Sequence, residues 1–113
     1  MHGFKAGFIG LAAAVLVAQA AAVSAADIAA GKRKAMQCAV CHGQNGIAVN
    51  PEAPNLAGEA SIYIEKQLKA FRSGERKSEQ MSIMAKGLSD EDIGDLAAWY
   101  AAIKVSAEPP AVK

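Results

Sequence analysis

Aromatic residues, histidine, cysteine and net charge are all scarce in this 113-residue chain. Three Phe, two Tyr and one Trp give a small domain little large apolar surface for a core. Twelve basic residues against eleven acidic ones leave a formal charge of +1, which argues against nucleic-acid binding, where a basic excess is the rule. Neither an internal repeat nor a Gly-rich phosphate motif is present. The low-complexity character is confined to the alanine-rich N-terminal stretch. Cysteine occurs twice, at Cys38 and Cys41, and histidine twice, at His2 and His42.

The N-terminal stretch reads as a removable leader rather than part of the domain. His2 and Lys5 form a short positive region, an apolar run follows from Ala6 to about Val23, and Val23-Ser24-Ala25 offers small residues for cleavage after Ala25 or Ala26. Residues 1–25 are therefore expected to be a signal peptide and residues 26–113 a single domain. An uncleaved membrane anchor is the other reading, because the run approaches the length needed to span a bilayer. Without Lys5 the basic and acidic residues balance, and the remaining aromatics are Tyr63, Phe71, Trp99 and Tyr100. A large, flat, apolar cofactor would make up for so modest a core.

Cys38-Ala39-Val40-Cys41-His42 supplies a reason to expect one. C-x-x-C-H is the attachment signature of a c-type haem. On a helical turn, positions i, i+3 and i+4 share a face, so both thiols would meet the vinyl groups of one porphyrin while His42 points at its iron. Both cysteines are then used as thioethers, leaving none for a disulfide. A redox dithiol is the first competing reading, but it needs a strand before the motif, and Lys32 to Gln37 is polar, basic and helical. Zinc is the second, but two Cys and one adjacent His lack a fourth ligand. An exported chain with this motif is chemically coherent, since the cysteines become thioethers before meeting an oxidising, periplasmic compartment.

Three helices are expected. The first runs from about Ile28 to Cys41, capped by Asp27, with Gly31 inside it at a cost of about 1 kcal/mol relative to Ala and so needing a packing reason. The second spans roughly Ile62 to Arg72, with Ile64, Leu68 and Phe71 as its apolar stripe and Gly74 as its stop. The third opens on a Ser89/Asp92 capping box and buries Ile93, Leu96, Tyr100 and Ile103; Pro109 and Pro110 end ordered structure. Two stretches, His42 to Ser61 and Ser73 to Leu88, show no helix or strand pattern. Loops of that length are suspect in a small domain unless wrapped around something.

The sixth iron position decides what such a haem does. A Met thioether opposite His favours ferrous iron and blocks small ligands, the ligand set of an electron carrier. Met36 lies beside Cys38 and cannot reach the opposite face. Met81, in the longer polar loop, is the favoured ligand, and Met84, expected to pack beneath the third helix, is the alternative. Once His2 leaves with the leader, His42 is the only histidine, which excludes bis-histidine ligation within the chain. The ring N–H of an iron-bound imidazole usually donates to a carboxylate or carbonyl, and the Pro54 carbonyl is a reasonable acceptor, although that segment alone reads as a turn.

With C-A-V-C-H-G, P-N-L-A-G and M-S-I-M-A-K-G-L-S-D-E-D-I in order, the chain resembles a class I c-type cytochrome, a small bacterial monohaem member similar to one half of the dihaem periplasmic cytochromes. The resemblance implies an all-α fold of three main helices and long loops around one covalent haem. It implies that Pro54, twelve residues after His42, accepts the imidazole N–H, and that Met81, seven before Leu88, is the axial sulfur. It also implies that Gly31 packs against Trp99 or Tyr100. The function implied is one-electron transport, not enzymatic catalysis, by a monomer that meets its donor and acceptor transiently, with no stable membrane span and no nucleic acid. A haem-based sensor of small ligands and an electron-entry subunit of a larger oxidoreductase are the alternatives. Lys66, Lys69, Arg72, Arg76 and Lys77 on one side and Asp90, Glu91, Asp92 and Asp95 on the other read either as solvated helix faces or as an asymmetric surface for a redox partner.

Overall fold

The computed structural model describes residues 1–3 and 25–112. The expected leader and its anchor alternative lie, apart from their ends, outside the described residues. Those residues form helices and connecting loops, and among them no helix is long and apolar enough to cross a membrane.

Helix α1 (Ile28–Lys34) starts where a capping side chain permits it: Asp27 accepts hydrogen bonds from the Ala29 and Ala30 N–H groups at 2.8 and 3.2 Å. The single helix expected to Cys41 is instead three pieces, α1, a 3₁₀ turn over Ala35–Gln37, and α2 (Ala39–His42). The Cys38 N–H reaches back to the Ala35 carbonyl at 2.9 Å, the tighter pitch of a 3₁₀ turn, yet Cys38 keeps right-handed helical angles. The chain therefore runs on in the same sense, and apolar spacing cannot register a change of pitch this short.

Helix α3 (Ser61–Ser73) follows its stripe: Ile64 and Phe71 are buried, Leu68 is half-buried, and the helix stops at Gly74. The stretch expected to be irregular between Ser73 and Leu88 contains a further helix, α4 (Met81–Lys86). Its start is set by two serines, since Ser78 Oγ accepts from the Met81 N–H (3.2 Å) and Ser82 Oγ from the Ser78 N–H (3.0 Å). Ala85 is the residue α4 buries completely, and Met84, expected to pack beneath the last helix, is 42% exposed. Helix α5 (Asp90–Ala102) opens on the full capping box, with Ser89 Oγ accepting from Asp92 N–H and Asp92 Oδ2 from Ser89 N–H. It buries Ile93, Leu96, Ala97 and Tyr100, the large ones contributing roughly 1.5–3 kcal/mol each. Ile103 ends the helix in an extended conformation and packs half-buried on the core, so regular structure stops well before Pro109.

Helix α5 is the centre of the packing: α1 and α3 both lie against it, and α4 lies against α3. Gly31 is the contact point with α1. A Cβ there would overlap the Asp95 carbonyl oxygen and come within 2.8 Å of Trp99 Cβ, so only glycine lets the backbones approach. The expected Gly31–aromatic packing is therefore present, with Trp99 as the aromatic and the Asp95 backbone as a second neighbour.

A polar clamp closes the same crossing. Asp95, 2% exposed, accepts from the Asp27 N–H and from Lys34 Nζ, both at 2.7 Å, while Lys34 also pairs with Asp92 at 2.9 Å. Asp90 pairs with Arg72 at 2.6 Å, and Arg72 also donates to the Leu88 carbonyl. Of the acidic set read from the sequence as a surface cluster, Asp95 alone is buried; Asp92 is half-buried and Asp90 stays exposed, each paired with a neighbouring cation. Glu91 is exposed as well.

The Lys34 ammonium holds the Asp92 carboxyl down to about 2, and the Asp27 N–H, then Lys34, holds Asp95 below its usual value. The stability these lowered values provide is complete above the ordinary 3.8 and lost as pH falls through the folded-state value. Lys34 is shifted upward by the two carboxylates, so its share is present at neutral pH and lost only well into the alkaline range. The thermal midpoint should therefore stay level down to about pH 5 and drop between 3.8 and about 2. Asp95→Asn should flatten part of that drop; an identical acid profile in variant and parent, followed by circular dichroism, would contradict the clamp. Gly31→Ala should cost about 1–3 kcal/mol in denaturant unfolding, the range for overpacked sites.

Candidate functional site

The short helix α2 and the residue before it bring three chemically distinctive groups onto one turn. Cys41 and His42 N–H groups bond the Cys38 carbonyl at 3.3 and 2.9 Å, which fixes the spacing of both thiols and the imidazole. His42 is 7% exposed and its Nδ1 lies 2.8 Å from the Pro54 carbonyl oxygen. A carbonyl can only accept, so Nδ1 carries the proton and donates. The ring's lone pair is then on Nε2, the atom a metal would take.

Pro54 reaches His42 because the loop from Gly43 to Ala60 is held by its own backbone. Val49 and Asn50 N–H groups bond the Cys41 carbonyl at 3.0 and 3.1 Å, Leu56 and Ala57 bond the Gly46 carbonyl at 2.7 and 3.0 Å, and Gly58 bonds the Tyr100 carbonyl at 2.9 Å. Asn55 Oδ1 accepts from the Ala48 N–H at 2.7 Å and stitches the loop across its middle. Gly46 sits at φ +71° where a Cβ would come within 2.7 Å of the Ala57 nitrogen, a position side chains cannot take. The loop expected to be irregular is irregular, yet it is fixed in place. Asn50 and Asn55 were not among the residues marked in the sequence; asparagines within a Gly/Pro-rich stretch are the signal, since they bond nearby backbone.

Cys38 and Cys41 are unpaired and half-buried, and Asn50 Nδ2 lies 3.8 Å from Cys41 Sγ. Burial pushes the Cys38 thiol upward, with the Tyr100 phenol opposing part of the rise. That is the reverse of a redox dithiol, whose attacking thiol is lowered. Among the described residues no three His, Cys, Asp or Glu side chains converge to hold a metal ion by themselves. From Ala35 to Pro51 no charged residue occurs, and Met36, Val40, Ile47 and Val49 leave 51–79% of their surface exposed. Met81 is the first residue of α4 and half-buried, Met84 is one turn on, and α4 is carried by α3. The structure thus joins His42 to Pro54 and Gly31 to Trp99, and it places both candidate methionines on one short helix.

A cytochrome c family model matches residues 28–103. The chain belongs to the cytochrome c family. It is similar to cytochrome c-554(548) of Halomonas halodenitrificans, 48% identical over 79 residues that make up 67% of this chain and 95% of that one. Its fold is similar to that of reduced cytochrome c4 from Pseudomonas stutzeri, with a TM-score of 0.67 and 36% identity over 73% of this chain and 48% of the other. The thiosulfate dehydrogenase of Marichromatium purpuratum also matches, with a TM-score of 0.67 and 31% identity over 82% of this chain and 24% of that one. This cytochrome therefore spans about half the length of the cytochrome c4 chain and a quarter of the dehydrogenase. The fold is the all-α class I cytochrome c fold, and the relatives named cytochromes c are electron carriers, not enzymes, with covalently bound haem c.

The residues present fit that group. Two unpaired thiols and an imidazole with its distal nitrogen left for a metal share one turn, and α5 holds two buried polar atoms, Trp99 Nε1 and Tyr100 Oη, with no hydrogen-bond partner. Because the His42 contact uses a backbone carbonyl, Pro54→Ala should keep the 2.8 Å hydrogen bond. The ring Nδ1 proton should stay slow to exchange by nuclear magnetic resonance, whereas rapid exchange in the variant would show that the proline ring itself positions the carbonyl.

Proposed function

We propose that this cytochrome is a periplasmic one-electron carrier with one haem c per chain, joined through Cys38 and Cys41 and ligated by His42 and Met81. The observation that carries the reading is the His42–Pro54 hydrogen bond, which leaves Nε2 as the ring's ligand atom and fixes the plane of the imidazole. When bound, the haem supplies an Fe²⁺/Fe³⁺ couple. The chain's part is to hold its ligands still. The carbonyl prevents ring rotation and raises the basicity of Nε2, and the loop bonds keep that carbonyl in place. Met81 and Met84 sit one turn apart on α4, and Met81, the less exposed, is the axial sulfur. Residues 1–25 act as the export signal, and 26–113 form the domain, a monomer that meets its redox partners through small, short-lived contacts.

A second reading, an electron-entry subunit of a larger oxidoreductase, is favoured by the match to part of a thiosulfate dehydrogenase. Purification of the exported protein in a stable stoichiometric complex would support it over the free carrier.

The ligand set is tested with Met81→Ala and Met84→Ala. Ferric Met81→Ala should lose the weak far-red Met-to-iron band and, when reduced, bind carbon monoxide at neutral pH. Met84→Ala and the parent should keep the band and resist the ligand. Loss of the band in Met84→Ala alone would move the sulfur to Met84. Carbon monoxide binding by the parent would instead support a haem sensor.

A further inference from the structure

We propose that the Tyr100 hydroxyl donates a hydrogen bond to the Cys38 sulfur once that sulfur is a haem thioether, and that this contact raises the potential of the site. The inference deepens the proposed function and rests on its reading of Cys38.

Tyr100 is 2% exposed, and its hydroxyl is buried with no hydrogen-bond partner among the described residues. Buried hydroxyls are rarely left this way, so the group calls for an acceptor that the polypeptide alone does not provide. The side chain has nowhere else to go. Its backbone carbonyl takes the Gly58 N–H at 2.9 Å, and its ring edge lies against Gly46, where even a methyl group would come within 3.1 Å of Cδ1. Cys38 and Leu56 pack against the core cluster that contains the ring.

Cys38 is the polar group beside it. Each shifts the other's ionisation, which places the phenol oxygen and the Cys38 sulfur face to face, although as thiol and phenol they fall short of a full hydrogen bond. A thiol rotates freely and can itself donate. A thioether sulfur carries no proton, has both of its substituents fixed, and can only accept. Attachment therefore turns an ambiguous neighbour into an acceptor facing a donor that has no other partner. Phenylalanine would fill the same space without the orphan hydroxyl, so the oxygen is the feature that packing does not explain. A hydrogen bond to the sulfur draws electron density from the haem edge and disfavours ferric iron. Tyr100 is thus a positioning residue that acts through Cys38.

The test uses the matured holoprotein and its Tyr100→Phe variant, after a pyridine haemochrome assay for covalent haem. The parent should show a thioether C–S mode in its resonance Raman spectrum that shifts in D₂O. Tyr100→Phe should lose the isotope shift and have a lower midpoint potential, with the far-red band unchanged. Covalent haem with no isotope shift in the parent overturns the proposal without any variant, as does an unchanged potential in Tyr100→Phe. Absence of covalent haem from the parent overturns the functional reading as well.

Discussion

A hydrogen bond from the His42 ring to the Pro54 carbonyl is the contact around which the site is organised. It turns a flexible imidazole into one with a single tautomer and a fixed plane. It also gives the Gly/Pro-rich loop a reason for its length. The chain must leave α2, turn back, and deliver one carbonyl to the Nδ1 edge of the ring, and the Gly46 turn with its two backbone acceptances makes that return. An apolar core could not do this, because an imidazole held only by packing keeps its freedom to flip.

The rest of the fold is scaffolding for that turn. Helix α5 carries α1 through the Gly31 contact and the Lys34–Asp95 clamp, and α1 leads directly into the attachment residues. Partners in a buried ion pair contribute little net stability unless their remaining hydrogen-bonding capacity is met. Here both Asp95 oxygens are used, one by a backbone N–H and one by the ammonium. That arrangement fixes the angle at which α1 crosses α5, and so the direction in which Cys38, Cys41 and His42 project.

The parts legible in the sequence were those with strong local chemistry. Asp27 and the Ser89/Asp92 box mark helix starts because capping side chains sit beside the groups they satisfy, and the Ile64/Leu68/Phe71 stripe marks α3 because its period is unbroken. Helix α4 was missed because six residues are too few for a period to register, and its start depends on Ser82 Oγ accepting from the Ser78 N–H and Ser78 Oγ from the Met81 N–H. The 3₁₀ turn was missed because it changes pitch and not direction. Asp95 was read as surface charge, since nothing local shows that a carboxylate will meet the Asp27 N–H 68 residues away. The His42–Pro54 contact and the Gly31 crossing were legible in the sequence motifs; the asparagine stitches and the unpartnered Tyr100 hydroxyl emerge only when the loop and α5 are in place.

Membership of the cytochrome c family places electron transport on this chain, and the proposed carrier needs the thiols of Cys38 and Cys41 to end as thioethers. Intact-mass spectrometry of exported protein, matured in a host competent for haem attachment and then alkylated under denaturing conditions, tests that most directly. The account predicts the domain's mass plus one haem and no alkylated cysteine. The bare polypeptide mass with both Cys38 and Cys41 alkylated would contradict it.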